Sequence, residues 1–167
     1  RRGFTYVVVT LQRDDVDGLR ARGIPAIYGD ASNPEVLELA HLDHARLREV
    51  LTTAAQRFGW RERVTKKLPN RGIGIACGTE KGSYIATAAE VSRTATGFTV
   101  DRLVVAFECG AIVNPDGLHN QVEGSIVQGL GGALFEAVEF GKGQLVNGSM
   151  RDYRVPRFKD VPPIDII

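Results

Sequence analysis

The chain has 167 residues, which is enough to bury a core and to form one domain or two small ones. Hydrophobic residues make up 43% of the sequence and charged residues 25%, a composition typical of a globular protein rather than a disordered one. The net charge of +1 excludes the basic excess typical of nucleic-acid-binding proteins. No apolar run approaches the roughly 20 residues of a membrane span.

The cysteines and histidines limit the metal chemistry. Cys77 and Cys109 form no C-x-x-C pair, and a zinc or iron–sulfur site held by thiolates normally needs four ligands at short spacings. The three histidines, His41, His44 and His119, include no H-x-x-x-H pair. We therefore predict that the protein itself ligates no metal.

Neither end of the sequence has the pattern of a natural terminus. The chain begins at Arg1 without a signal peptide and ends at Ile167 without a terminal cap, so we expect both ends to be cuts in a longer sequence. From the lack of a targeting segment we expect a cytoplasmic protein.

The first third of the chain alternates strand and helix patterns. Residues 6–10 form a short β-branched run typical of a buried parallel strand, and residues 15–22 form a polar helical stretch that ends at Gly23. Residues 24–28 predict a second strand. Asn33-Pro34-Glu35 then begins a helix, with Asn as N-cap and Pro at the first helical position. This order predicts part of a doubly wound α/β sheet.

Two stretches in this region carry a family resemblance. Residues 19–25 (LRARGIP) and 28–31 (YGDA) resemble the nucleotide-binding regulatory domain of potassium-transport and cation–proton antiporter proteins, over residues 4–47. The glycine-rich turn that seats a dinucleotide pyrophosphate would lie upstream of Arg1. Thr10 stands where the family has an acidic residue that binds the ribose. We therefore expect this segment not to bind NAD.

After residue 47 the pattern changes. Six apolar residues recur at helical spacing and predict an amphipathic helix that ends at Gly59: Leu47, Val50, Leu51, Ala54, Ala55 and Phe58. The glycine-rich stretch 72–78 fails the G-x-G-x-x-G spacing and is interpreted as a strand that packs closely against its neighbours. Residues 84–93 and 98–109 predict a β-hairpin, whose second arm at 103–107 is apolar throughout and should be buried on both faces.

Asn114-Pro115-Asp116 begins a helix of roughly 20 residues. One side carries an apolar ridge predicted to face the core: Leu118, Val122, Ile126, Leu130, Leu134 and Val138. A second side carries Gly117, Gln121, Gly124, Gln128, Gly131 and Phe135. Glycine in a helix interior costs roughly 1 kcal/mol relative to alanine, so something should approach this side closely.

Two kinds of neighbour could explain the glycine side. One is another helix or strand packed tightly against it. The other is a ligand to which Gln121 and Gln128 offer both amide donors and acceptors. The spacing leaves these alternatives open.

Six motifs in order carry a second resemblance: Gly82-Ser83-Tyr84, Glu108-Cys109-Gly110, Val113-Asn114-Pro115, Gln121-Val122-Glu123-Gly124, Gln128-Gly129-Leu130-Gly131 and Asp152-Tyr153-Arg154-Val155-Pro156. Residues 48–167 resemble the second molybdopterin-binding region of the large subunit of the xanthine dehydrogenase and aldehyde oxidase family, the molybdenum hydroxylases. The resemblance implies molybdopterin, in its cytosine dinucleotide form, with the glutamine that matches Gln121 in contact with the pterin. Together with the helix pattern, this predicts Gln121, Gly124 and Gln128 as the cofactor-binding residues. It also implies hydroxylation of aldehydes or N-heterocycles, and a separate iron–sulfur electron-transfer subunit.

The resemblance also implies what this sequence lacks. The family's catalytic glutamate would lie beyond Ile167, so no catalytic residue is assigned here. Five glutamates are interpreted as structural or surface carboxylates: Glu80, Glu90, Glu108, Glu123 and Glu136. We expect a chimeric fragment that is inactive alone, with small-molecule chemistry, no nucleic acid and no membrane.

The predicted fold class is α+β. An incomplete βαβα piece (residues 1–47) would precede an antiparallel, hairpin-based sheet packed on the long glycine-rich helix (residues 48–167). Two alternatives remain open. One is a regulatory nucleotide-binding module of a cation transporter that senses nucleotide through Asp30, and the other is a structural or interaction fragment whose glycine side binds a partner helix.

Overall fold

The computed structural model describes residues 8–10, 13–24, 26–29, 45–66, 69–95 and 97–167. The helix predicted to begin at Asn33 and the residue Asp30 lie outside these ranges. Within them the chain forms helices and an extended sheet, and the predicted α+β class is confirmed.

The N-terminal piece has the predicted order of strand, helix and strand. Strand β1 (Val8–Thr10) pairs in parallel with β2 (Ala26–Tyr28), and helix α1 (Arg13–Ala21) connects them. The side chains of Val16 and Ala26 are buried. Gly23 ends the helix at φ 73°, with its N–H donated to the Arg20 carbonyl at 2.9 Å.

The helix predicted after residue 47 is helix α2 (Ala45–Phe58). Its stripe is buried at Val50, Leu51, Ala54, Ala55 and Phe58, and Gly59 follows in the left-handed region at φ 74°. That conformation is costly for any residue with a Cβ, which explains the glycine. A short helix α3 (Trp60–Thr65) turns away from it.

One sheet forms the core of the rest of the chain. Strands β3 (Arg71–Glu80), β4 (Ser83–Thr94) and β5 (Gly97–Glu108) are antiparallel neighbours, so the predicted hairpin is confirmed. A fourth strand, β8 (Ile164–Ile166), pairs in parallel with β5, which makes the sheet mixed rather than purely antiparallel. Of the apolar run predicted to be buried, residues 103–106 of β5 are buried and Phe107 is half-buried.

The helix that covers this sheet is α2. Ala54 of the helix and Ala86 and Ala88 of β4 are each 0% exposed, so small side chains form the contact between helix and sheet. The sequence predicted the long glycine-rich helix in this position. That helix, α4 (Pro115–Leu134), has the predicted length of 20 residues but lies beside the edge strand β8.

The glycines of β3 differ from their prediction. A Cβ on Gly72 would lie 3.3 Å from Val91 Cγ2, but Cβ atoms on Gly74 and Gly78 would meet no atom within 4 Å. The expected close packing is therefore wrong at these two positions. The reason is that their Cβ positions point to the face of the sheet away from α2, because side chains alternate along a strand and Ile73, Ile75 and Cys77 occupy the face toward α2.

The remaining elements follow α4. A small hairpin pairs β6 (Phe140–Gly141) with β7 (Gln144–Leu145), and a 3₁₀ turn (Phe158–Asp160) precedes β8. Among the described helices none is long and apolar enough to cross a membrane.

A buried carboxylate ties α3 to the sheet. Glu90 is 6% exposed and lies beside a bulge between β4 and β5. It accepts hydrogen bonds from Arg63 and, at 3.0 Å, from Arg71 Nη1. Arg63 also donates to the Phe58 carbonyl at 2.9 Å and lies over the Phe58 ring. These contacts fix α3 against the strands.

Glu90→Gln should lower the free energy of unfolding by about 2 kcal/mol, because a neutral amide cannot pair with two guanidinium groups in a buried position. Urea unfolding followed by the fluorescence of Trp60, the one tryptophan in the sequence, measures this change. The matched control is Glu49→Gln on the exposed side of α2, which should change little. Equal effects of the two substitutions would contradict the role given to Glu90.

A second ion pair, between Arg57 and Asp165, holds β8 to α2, with Arg57 Nε donating to Asp165 Oδ2 at 2.8 Å. The hydrogen bond from Arg57 lowers the pKa of Asp165 below its ordinary value of 3.8. A lowered folded-state pKa stabilises the fold above the unfolded value, and this contribution is lost as pH falls through the folded value.

Wild type should therefore be more stable than Asp165→Asn at pH 6, and the difference should vanish well below pH 3.8. Urea midpoints of both proteins across this range test the prediction. The effect should be small, because the pair is partly exposed and screened by solvent. A difference that persists unchanged in acid would show that the Asp165 charge plays no part in it.

Candidate functional site

Helix α4 carries the predicted site residues, and its start is fixed by a cap. Asn114 Oδ1 accepts a hydrogen bond from the Gly117 N–H at 2.9 Å, and Pro115 occupies the first turn. The side-chain oxygen satisfies one of the amide donors that lack an intrahelical partner. This confirms the predicted helix start and sets which side of α4 each later residue faces.

The loop before α4 is anchored by Glu108 at the end of β5. Arg46 of α2 donates to both Glu108 oxygens, with Nη2 2.6 Å from Oε1, and the Gly110 N–H donates to the same oxygen at 2.7 Å. Glu108 raises the pKa of Arg46, whose guanidinium also lies 4.6 Å from the centroid of the Tyr84 ring. Glu108 therefore has a structural role, and the structure identifies its partners, Arg46 and Gly110, which the sequence did not indicate.

Gln121, Gly124 and Gln128 lie on one side of α4, and all three are exposed. At about 100° per residue they fall within a 60° sector of the helix. A Cβ on Gly124 would meet no atom within 4 Å. Among the described residues, therefore, nothing packs against this sector, which we call the amide side of α4.

The opposite side of α4 is only partly covered. Val122 is buried, and Leu118, Ile126, Leu130 and Leu134 are half-buried. The predicted ridge also included Val138, but the helix ends at Leu134 and Val138 is 59% exposed, so that part of the prediction is wrong. Val138 continues the four-residue spacing although the helix has already ended. Periodicity alone does not show where a helix stops, and the sequence therefore placed this residue on the ridge.

The C-terminal end of α4 is held by residues that sequence reasoning did not connect. A Cβ on Gly131 would collide with the Glu136 carboxylate and lie 3.1 Å from Pro156 Cδ. Tyr153 donates to Glu136 Oε2 at 3.1 Å, and burial together with Glu136 raises the pKa of this tyrosine. The expectation that something approaches the glycine side closely thus holds at Gly131, where residues of the same chain do so.

Other features of the described chain lie apart from this helix. No three His, Cys, Asp or Glu side chains of the described residues gather into a metal-binding group. Cys77 is half-buried on β3, and burial raises the pKa of its thiol. A cavity of about 320 Å³ lies between α2 and α3, where Gln56 and Trp60 line it, and it is not lined by any residue of α4.

The amide side suits one face of a planar heterocycle. Two primary amides provide donors and acceptors, and a glycine between them lets a flat molecule approach the helix backbone. Among the described residues, no atom lies within 4 Å of a Cβ built on Gly124, and both glutamines are exposed. The two amides and the glycine between them are therefore compatible with contact to one side of a pterin.

Comparison with known proteins gives two matches along the chain. Residues 82–162, which include the whole of α4, match the family model of the molybdopterin cofactor-binding domain. Residues 1–57 match the model of the TrkA-N domain.

The individual relatives also fall into two groups, oxidoreductase or hydroxylase subunits and a cation/proton antiporter. The isoquinoline 1-oxidoreductase subunit beta of Brevundimonas diminuta is 31% identical over 138 residues, which is 81% of this chain and 18% of that protein. The nicotine 6-hydroxylase large subunit of Paenarthrobacter nicotinovorans is 37% identical over 73 residues, which is 42% of this chain and 9% of that protein. A protein of Escherichia coli K12 named as a cation/proton antiporter, YbaL, is 48% identical over 40 residues, which is 24% of this chain and 7% of that protein.

The chain thus spans less than a fifth of the length of the hydroxylase subunits that it matches. Residues 48–167 resemble the molybdopterin-binding large subunit of the molybdenum hydroxylases, and residues 4–47 resemble part of the nucleotide-binding regulatory domain of cation-transport proteins.

Proposed function

We propose that residues 48–167 are a segment of a molybdenum hydroxylase large subunit that holds one side of the cofactor and is inactive alone. The observation that carries the proposal is the amide side of α4. Gln121, Gly124 and Gln128 are exposed there together, within the residues matched by the molybdopterin-binding family model. The parent reaction would be hydroxylation of an aldehyde or an N-heterocycle.

The two glutamines would bind and orient the pterin edge. Each amide can donate through its nitrogen and accept through its oxygen, so the pair can match a heterocycle that presents both kinds of group. Gly124 lies between them, where a side chain would hold the ligand away from the backbone. The Asn114 cap and the contact of Gly131 with Glu136 and Pro156 would keep this side turned toward the ligand.

The cofactor, when bound, would supply the redox chemistry of the hydroxylation. We propose the cytosine dinucleotide form, as in the family that the sequence resembles. A second part of the proposal is a separate iron–sulfur subunit, because Cys77 and Cys109 are too few to hold such a cluster.

The proposal of inactivity rests on the carboxylates around α4. Glu108 is engaged by Arg46, and Glu136 by Tyr153. Glu123 lies 4.0 Å from His119 one helical turn away. A general base must reach the proton that it removes. Glu108 and Glu136 are held by their contacts, and Glu123 lies at least about 100° around α4 from each residue of the amide side. The base is therefore expected from a part of the large subunit outside residues 48–167.

Cofactor loading tests the assignment of the amide side. The chain is expressed in a host that makes molybdopterin cytosine dinucleotide, and molybdenum and released pterin are measured in the purified protein. We expect substoichiometric loading in the wild type and background levels in Gln121→Ala/Gln128→Ala and in Gly124→Leu. Leucine at position 124 fills the space that a planar ligand would need.

The matched control is Gly129→Leu. Gly129 is also exposed, a Cβ on it would meet no atom within 4 Å, and it lies about 140° around the helix from Gly124. Both substitutions gain the same helix propensity, so only the side of the helix differs. Equal loading of the Gly124 and Gly129 variants would refute the assignment. Turnover of an aldehyde or N-heterocycle by the isolated chain with an artificial acceptor would refute the inactivity.

We also propose that the unit containing the site begins close to residue 47 and includes α2, with residues 1–47 as a separate partial nucleotide-binding segment. The support is the packing of α2 against β3, β4 and β5. A chain beginning at Ala45 should keep the unfolding midpoint reported by Trp60. A chain beginning at Trp60 lacks α2 and should not fold cooperatively. If the shorter chain unfolds like the longer one, the boundary is misplaced.

A further inference from the structure

Strand β3 has ten residues, and in the described part of the chain its outer edge pairs with no other strand. Arg93 donates its N–H to the Asn70 carbonyl at 2.7 Å, and the β3–β4 register continues from there without a shift. Hydrogen-bonding alternates along an antiparallel strand, so every second residue from Asn70 faces β4. The residues between them direct N–H and C=O outward: Arg71, Ile73, Ile75, Cys77 and Thr79. No described strand pairs with this edge.

The middle of this edge lacks the features that usually prevent strands from pairing. Natural edge strands are short, or carry charged side chains, proline or a bulge. Strand β3 has ten residues, with no proline and no bulge in its pairing with β4, and its two charged residues, Arg71 and Glu80, stand only at its ends. On the sheet face away from α2, the residues before the terminal Glu80 are all small, namely Gly72, Gly74, Ala76 and Gly78. Nothing projects there to obstruct a neighbouring strand.

The residue pattern of β3 is nearly symmetric about Ile75. Gly74 and Ala76 flank it, then Ile73 and Cys77, then Gly72 and Gly78, and finally Arg71 and Thr79. Ile73, Ile75 and Cys77 are half-buried on the face covered by α2, where they border the core clusters. An antiparallel copy of the same strand would therefore place apolar residues opposite apolar residues and glycine opposite glycine.

The charges at the strand ends favour the same arrangement. Arg71, which also donates to Glu90 of its own chain and is half exposed, begins β3, and Glu80 ends it. Antiparallel pairing of two copies brings the positive end of each strand to the negative end of the other, whereas parallel pairing brings like charges together.

We propose that β3 is a homodimer interface, in which two copies of the chain pair antiparallel about a twofold axis at Ile75. In this register Ile75 lies opposite its own equivalent, Ile73 opposite Cys77, and Arg71 opposite Thr79. All outward-facing N–H groups of both strands find a carbonyl, and the two sheets join into one. The proposal uses no residue of the amide side of α4 and does not depend on the cofactor.

Disulfide cross-linking tests the axis. In the full chain with Cys77→Ser and Cys109→Ser, Ile75→Cys should form a covalent dimer under mild oxidation, because facing Cα atoms of a hydrogen-bonded pair lie about 5.5 Å apart. The matched control is Thr79→Cys in the same background. In the proposed dimer, the two copies of position 79 would lie eight residues apart along the strands, a distance of roughly 27 Å, and should not cross-link. Equal cross-linking at both positions would overturn the proposal.

Sedimentation equilibrium tests the pairing itself. The wild-type chain should dimerise with concentration, and Ile75→Pro should raise the dissociation constant about tenfold or more, because it removes one outward donor from each copy. Ile75→Val keeps both donors and should dimerise like the wild type. A wild-type chain that remains monomeric at all concentrations would refute the proposal. If the proline variant does not fold, the cross-linking result decides alone.

Discussion

The packing of helix α2 on the sheet is the contact on which the other features depend. Alanines on both surfaces, Ala54 on the helix and Ala86 and Ala88 on β4, let the backbones approach closely. The larger side chains of Leu51 and Phe58 then fill the space around them. Dense packing of this kind tolerates little change in volume, so the helix position fixes the residues attached to it.

Two arginines of α2 form ion pairs with residues of the sheet outside this packed contact. Arg46 binds Glu108 where β5 ends and the loop toward α4 begins, while Arg57 binds Asp165 of β8. Helix α4 lies between these two points in the sequence and contacts β8 in space. Helix α2 thus holds both the start of the loop that leads to α4 and the strand beside which α4 lies.

Local patterns in the sequence predicted the elements well, because each depends on neighbours a few residues away. The Asn114 cap, the turn at Gly59 and the hairpin at 94–97 are of this kind. The sequence did not indicate that α2 covers the face of the sheet while α4 contacts it at β8, since the apolar ridge of α4 does not specify which surface it packs against. Glu90 pairs with Arg63, 27 residues away, and with Arg71, 19 residues away. No local spacing rule predicts either pair. For the site, the sequence grouped Gln121, Gly124 and Gln128, whereas the contacts of Gly131 required the three-dimensional structure.

The parallel pairing of β8 with β5 has a consequence for the order of folding. Strands β3, β4 and β5 are joined by tight turns, so their contacts close short loops and form at little entropic cost. Strand β8 can pair only after the chain from Cys109 to Pro163 has returned to the sheet. The slow step should therefore be this late closure. It also means that the returning segment, with α4 inside it, can diverge in evolution while the nucleus of the sheet still assembles.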